Sequence, residues 1–484
     1  MTNETLSAPR LGLYIDGVVV DRETMPVMSP ADRTVVVGAV AQGDLEDVEA
    51  AIRAAERAAP GWAATPAAER AAMLERIADA IETSADDLAH LVARENGSML
   101  ATVRGELVGA ADHWRQIAGR LEQQLAPRDV PTDDGGFARI SRKPYGVVGL
   151  IVPWNAPLIL TVNKLAPAIA AGNTVVVKPS PLSPLGATAL ATIVAGELPS
   201  GVVNVLNGGG EIGGALIDHP SVRKVSFTGG GATARHIMRQ AAASLKDVHF
   251  ELGGNDPAII LEDADLDKVV ERLGEAAFRR AGQVCFAVKR IYVPRSLAPT
   301  FIEKFTARID QIAVGDPLDP DASMGPVNNQ AQHDHVGALV EGARAAGREV
   351  RELGSRLPSA GQNGFYRQPT LVVDAQQDDE LVRVEQFGPV LPIVAYDDEE
   401  QAVAWANDTD YGLCSSVWSE NREHALAVAD RIESGMTIVN NHLFSRGGTR
   451  EIPFGGWKQS GIGYEASPYG IEEYLQFHSV DVQA

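Results

Sequence analysis

The chain has 484 residues, 45% apolar and 22% charged, too many for one ordinary domain and normal in balance for a globular protein. Its 42 basic and 64 acidic residues give a formal net charge of -22, a surface that repels phosphate backbones and anionic membranes, so no nucleic-acid or membrane partner is expected. Two cysteines allow at most one disulfide, the N-terminus lacks a basic-then-apolar leader pattern, and no apolar run reaches the roughly 20 residues of a bilayer span, so a cytoplasmic location is expected.

Residues 44–95 read as helices. Asp44 and Asp47 open an Ala-rich stretch with Val48, Ala51, Ile52 and Ala55 on one face, and Pro60-Gly61 is expected to end it. A second helix covers 66–83, and Ser84 caps a third that carries Leu88, Leu91 and Val92. Residues 136–143 alternate apolar and polar, a half-solvated strand suited to an edge that another subunit covers. Strands at 147–152, 174–178, 202–206 and 224–227 then alternate with helices at 157–171, 184–195, 210–218 and 232–245. That alternation predicts a doubly wound parallel sheet, whose ligands bind outside the carboxyl ends of the strands. A second alternating region spans 258–440, with strands at 258–261, 290–293, 390–396 and 437–440, and residues 470–480 end the chain in a strand-like pattern.

Five segments between these elements carry unusual chemistry. Pro153-Trp154-Asn155-Ala156-Pro157 brackets an amide between prolines: a fixed donor, or, more simply, a helix cap. Lys178 ends an apolar strand where phosphates or ribose hydroxyls would lie, although a lysine snorkelling to the rim reads the same way. Thr228-Gly229-Gly230-Gly231 is a phosphate-friendly strand-to-helix turn, or only a flexible one. Glu251, before Leu252-Gly253-Gly254, is a general base if desolvated and an ordinary strand-end carboxylate if not. Cys285, in Gly282-Gln283-Val284-Cys285, is a nucleophile or an inert buried thiol, and Cys414 fits the inert alternative. Together these residues are the parts for thiol-dependent carbonyl chemistry beside a dinucleotide-type sheet.

In these motifs the chain resembles the aldehyde dehydrogenase superfamily along nearly its whole length. Pro153-Trp154-Asn155, Phe227-Thr228-Gly229, Glu251-Leu252-Gly253-Gly254, Gly282-Gln283-x-Cys285, Glu385-x-Phe387-Gly388-Pro389-Val390 and Pro453-Phe454-Gly455-Gly456-x-Lys458-x-Ser460-Gly461 match its motifs in order. The resemblance implies that Cys285 attacks the aldehyde carbon, that Asn155 Nδ2 and the Cys285 N–H hold the oxyanion, and that Glu251 activates the hydrolytic water. It assigns Lys178 to the adenosine ribose, Glu385 to the nicotinamide ribose, Phe387 to the nicotinamide, and Gly229 and Gly230 to the pyrophosphate. Trp154, Ser180, Thr228 and Leu252 complete the implied cofactor set, with NAD or NADP as cofactor and no metal.

The implied fold is α/β. A doubly wound Rossmann-like cofactor domain spans residues 1–122 and 145–250, and an α/β catalytic domain spans 251–440. Residues 441–467 connect them, and a small β oligomerisation arm, 123–144 with 468–484, builds a homodimer or homotetramer. Pro181 stands where the family often has the Glu that repels a 2′-phosphate, and Arg280 replaces a common Asn five positions before the nucleophile. Leu160, Asn163, Val284 and Phe286 are expected to line a mainly apolar aldehyde tunnel, which suits an aromatic or medium-chain aldehyde. Arg446 and Arg450 could instead hold a carboxylate but read better as solvated, and Trp114 reads better as a core aromatic than as a tunnel wall. Two rivals share the scaffold: a coenzyme-A-acylating semialdehyde dehydrogenase, against which Glu251 argues, and a catalytically silent cofactor-binding protein, against which the intact Cys285, Glu251 and Asn155 argue.

Overall fold

The central strands are apolar on both faces because both are covered by helices. In Thr174–Lys178, for example, all five residues are buried. In the computed structural model, which describes residues 8–443 and 451–484, this strand lies in an eight-stranded sheet. The sheet order is Gly461–Ile462, Asp247–Glu251, Val222–Thr228, Val147–Ile151, Thr174–Lys178, Val203–Val205, Leu13–Ile15, Val18–Val20. The five strands from Asp247–Glu251 to Val203–Val205 are parallel, and antiparallel strands close both edges. The chain winds one way from Val147–Ile151 and the other way from Val222–Thr228, so the crevice of the doubly wound sheet opens between residues 152–156 and 229–231.

A second sheet of seven strands runs in the order Val350–Glu352, Thr370–Val372, Val390–Tyr396, Arg290–Pro294, Pro257–Ile260, Cys414–Trp418, Met436–Val439. All its pairs are parallel except the one with Val350–Glu352. Residues 252–256 carry the chain from the carboxyl end of Asp247–Glu251 into the amino end of Pro257–Ile260. The carboxyl edge of the first sheet therefore meets the amino edge of the second. Among the described residues, no helix is long and apolar enough to cross a membrane.

Several expectations need correction. The helix Leu45–Ala64, opened by an Asp44–Asp47 capping box, runs through Pro60 instead of stopping there. Pro60 faces solvent, where water can take the carbonyl it leaves unbonded. Trp62, buried and donating to the Ile169 carbonyl at 3.1 Å, anchors the last turn. The strand Phe137–Pro144 is no edge: it is the middle of a three-stranded antiparallel sheet, between Arg128–Pro131 and Leu475–Val482 of the same chain. The last strand begins only at Leu475, because Ser467–Glu472, with Pro468 in its first turn, is helical. Helix Leu100–Leu125 was not anticipated, and it carries Trp114, wholly buried in the helical core.

Candidate active site

The nucleophile turn is built by backbone strain. After helix Leu266–Phe278, Arg280 (φ 54°), Ala281 (φ 53°) and Gly282 (φ 73°) are all left-handed, which turns the chain sharply before Cys285. Gly282 is needed there: a Cβ would lie 2.3 Å from the Gly388 carbonyl, so the turn backs directly onto the Phe387-Gly388 segment. Gly254 is equally constrained, since its Cβ would meet the Cys285 carbonyl at 2.9 Å, and a Cβ on Gly253 would strike the Glu385 carboxylate at 2.1 Å. Three motifs far apart in sequence thus close on one another through glycines.

Asn155 is buried and its Nδ2 donates to the Gln283 carbonyl at 3.0 Å, which sets the amide beside the nucleophile turn. Its backbone is held from behind. Asn96 Nδ2 donates to the Trp154 and Asn155 carbonyls (2.9 and 3.0 Å), and Arg280 Nη1 donates to the Asn155 carbonyl at 2.9 Å. Arg280 also bonds Ser98 Oγ and pairs with Glu106, so the departure at this position is a buried clamp between helix Leu100–Leu125, the Asn155 loop and the nucleophile turn.

Cys285 is a free, half-buried thiol. Burial pushes it up to about 12; the Lys289 charge pulls it down, and the carboxylates of Glu251, Asp256 and Glu385 push it further up. Glu251 is 3% exposed, and neither of its carboxylate oxygens has a hydrogen-bond partner. Burial first, then the Glu465 charge, raises it well above the usual carboxylate range, while Lys164 pulls it down. It is no solvated strand-end group. The segment 453–461 secures it from the side: Gly461 pairs with Glu251 in register, and Leu252 N donates to the Ser460 carbonyl at 2.9 Å.

The candidate cofactor residues ring the crevice. Trp154 meets Phe387 edge to face at 5.5 Å, and Lys289 Nζ sits 5.7 Å over the Phe387 ring. Glu385 accepts from Gly254 N at 3.1 Å, and burial raises its carboxyl. Lys178 is buried at its strand end, donates only to Pro179 O at 3.3 Å, and is pushed down to about 8 by desolvation. Ser180 caps Leu182 N at 3.3 Å. Thr228 is buried with an unpartnered hydroxyl, Gly229 N donates to the Glu251 carbonyl at 3.1 Å, and Gly230 begins helix Gly231–Ala242 with no side-chain cap on its amides. Leu252 is buried beside them. Leu160, Val284 and Phe286 are half-buried, and Phe286 packs edge to face on Phe454 at 5.8 Å. Asn163 faces Glu465, at 3.3 Å from its Oε2. Arg446 and Arg450 lie outside the described residues.

Sequence reasoning missed a buried polar chain behind Glu251. Lys164 Nζ, fully buried, lies 2.6 Å from Glu465 Oε1 and 3.2 Å from Ser226 Oγ, which in turn lies 2.8 Å from His249 Nδ1. The available signal was a lysine, the sole charged residue, within the mostly apolar helix Pro157–Ala170.

A family model described as the aldehyde dehydrogenase family matches residues 18–480. Among solved structures, PnpE in complex with nicotinamide adenine dinucleotide is 37% identical, with 98% of this chain and 97% of that one covered at TM-score 0.93. An NADP-dependent enzyme of E. coli is 35% identical (98% and 98% covered, TM-score 0.93), and an NAD-dependent aldehyde dehydrogenase from Sinorhizobium meliloti is 34% identical (98% and 95% covered, TM-score 0.93). With motifs, fold and site geometry in agreement, this chain belongs to the aldehyde dehydrogenase family and is an oxidoreductase acting on aldehydes.

Proposed function

We propose that the chain oxidises an aldehyde to the carboxylic acid with NAD or NADP, through a thiohemiacetal and then a thioester on Cys285, and that Glu251 drives the hydrolysis. The observation that carries this is the Asn155 amide seated on the nucleophile turn, with Glu385 closing on Gly253, Cys285 on Gly254, and an unpartnered Glu251 just before them in the chain. A dinucleotide fits the residues present. The uncapped amides at Gly230 and Gly231, the unpartnered Thr228 hydroxyl and the desolvated Lys178 ammonium are donors waiting at the crevice for an anionic, hydroxyl-rich ligand. Pro181 offers no carboxylate against a 2′-phosphate.

The Cys285 sulfur adds as thiolate to the carbonyl carbon, and the carbonyl electron pair moves to oxygen. Burial makes this thiolate costly, so the thiol gives its proton to water as the sulfur attacks. Asn155 Nδ2 and the Cys285 backbone N–H stabilise the oxyanion, and the clamp from Asn96 and Arg280 fixes the amide in advance. A dinucleotide held by Lys178, Glu385 and Phe387 would supply the hydride acceptor, and as the C–H bond gives up its hydride the oxyanion re-forms the carbonyl of the thioester. Glu251 then takes a proton from water as hydroxide adds to the acyl carbon, the C–S bond breaks, and the thiolate leaves. A base placed for water supports hydrolysis over transfer to coenzyme A. Leu160, Val284, Phe286 and Phe454 offer apolar walls that suit an aromatic or medium-chain aldehyde. Residues 1–122 and 145–250 would hold the cofactor and 251–440 the nucleophile. Phe477, 70% exposed on the terminal strand, and Val480 support the reading of the three-stranded arm as an oligomerisation surface.

The test is an aldehyde panel run with each cofactor and read at the reduced-nicotinamide absorbance, with Cys285→Ala alongside. Turnover with free acid as product, abolished in the variant while cofactor still binds, supports the reading. Acyl-CoA formed only on adding coenzyme A, or undiminished turnover in Cys285→Ala, contradicts it.

A further inference from the structure

His249 and Glu251 are two apart on strand Asp247–Glu251, so their side chains leave the same face of the sheet. Both are sealed from water, His249 at 0% and Glu251 at 3% exposure. Among the described residues, His249 Nε2, Glu251 Oε1 and Glu251 Oε2 all lack hydrogen-bond partners. These three orphaned atoms face one another, with Nε2 3.8 Å from Oε1. Buried polar groups are rarely left unsatisfied, and an N–H···O bond forms at about 2.9 Å, so a shift of about 1 Å at the carboxylate would pair them.

The other side of the ring is compatible with a proton on Nε2. Ser226 pairs with His249 in register on the neighbouring strand, and its Oγ lies 2.8 Å from Nδ1. Lys164 Nζ, 3.2 Å from the same Oγ, has only hydrogens to give. Ser226 can accept from Lys164 and turn its own hydrogen to Nδ1, and a carboxylate oxygen 3.8 Å from Nε2 favours that arrangement, with the imidazole proton on Nε2, toward Glu251. The ring is kept neutral by burial and by the Lys164 and Lys224 charges. Facing this pair are Lys164 and its partner Glu465, Lys224 with its partners Asp247 and Glu473, the buried Tyr474 hydroxyl beside Ser226, and the Thr228 hydroxyl opposite Glu251 in register.

We propose that His249 is a positioning residue for the hydrolytic base: its Nε2–H bonds Glu251 when the carboxylate turns to the acyl carbon, holding it ionised and aimed. This rests on the reading of Glu251 given above. A neutral donor stabilises the carboxylate over the carboxylic acid without cancelling its charge, which suits a base that must still accept a proton.

The experiment measures the pH dependence of kcat and the pre-steady-state burst of reduced nicotinamide in wild type, His249→Leu, His249→Gln, Thr228→Val and Glu251→Gln. Loss of the donor makes Glu251 harder to ionise, so the acidic limb of kcat in His249→Leu should move up by about one pH unit. Activity below that limb should fall about tenfold, with the burst intact because hydride leaves before hydrolysis. His249→Gln, which keeps an N–H near the same place, should restore at least half the shift. An unmoved limb in His249→Leu, no rescue by Gln, or a limb that moves in Thr228→Val instead overturns the proposal. Steady turnover retained by Glu251→Gln would instead show that the reading of Glu251 itself is wrong, and the proposal falls with it.

Discussion

The two cysteines occupy opposite kinds of place. Cys414 stands on the strand Cys414–Trp418, next to the edge of the second sheet, 1% exposed, its sulfur within 4.8 Å of the ligating atoms of Asp256 and His442 and its thiol pushed well up by burial. Cys285 stands at the end of three left-handed residues, half-buried, where two sheets meet edge to edge. Burial suppresses ionisation at both, so intrinsic acidity does not separate them. What separates them is surroundings: Cys285 is partly exposed on a turn that Asn155 Nδ2 bonds at Gln283, whereas Cys414 is buried with strand neighbours on both sides, and on the proposed reading that position makes Cys285 the nucleophile.

Breaking this comparison should give its largest effect in Cys285→Ala, where turnover with the best aldehyde falls by at least about 10³-fold while cofactor affinity, read by titration, stays. Asn155→Ala comes next, with a loss of about 10²–10³ in kcat and little change in cofactor binding. Iodoacetamide labelling sharpens the contrast. Because the Cys285 thiol is held up at about 12, its alkylation rate should climb about tenfold per pH unit from 7 to 10, following the thiolate fraction, while Cys414 stays unlabelled in the folded protein. Peptide mass mapping checks both. Arg280→Leu strands Glu106 and frees the Asn155 carbonyl, and denaturant titration should show a loss of about 2 kcal/mol, below the value for a wholly buried pair because Glu106 keeps some water. The smallest effect belongs to Cys414→Ala, about 1 kcal/mol of stability with kcat within about twofold.

Much of the first sheet was legible, because parallel strands covered on both faces read as apolar runs between helical stretches, as in Thr174–Lys178. The short edge strands Leu13–Ile15 and Val18–Val20 were not, since three residues carry no period. Helix Leu100–Leu125 hid behind an uncapped start and Gly105, Gly109 and Gly119, although Val103, Leu107, Trp114 and Leu121 keep helical spacing. The rule that directs attention to carboxyl strand ends finds Asn155, Lys178, Thr228 and Glu251. Cys285 and Glu385 instead precede the strands Arg290–Pro294 and Val390–Tyr396, on the amino edge of the second sheet; the thiol in its Gly-Gln turn marks Cys285 as a candidate, but only motif resemblance reaches Glu385. The supports were invisible for a simpler reason. Glu465 is 301 residues from Lys164, and Glu106 is 174 from Arg280, so no local pattern joins them.

The central claim is that the substrate's acyl carbon becomes bonded to one sulfur. Acid-quenched Glu251→Gln protein, mixed with aldehyde and cofactor and mapped by peptide mass spectrometry, tests it most directly. The account predicts a single acyl mass on the peptide carrying Cys285, formed with one equivalent of reduced nicotinamide per chain. Reduced nicotinamide with no adduct, or an adduct on Cys414, would contradict it.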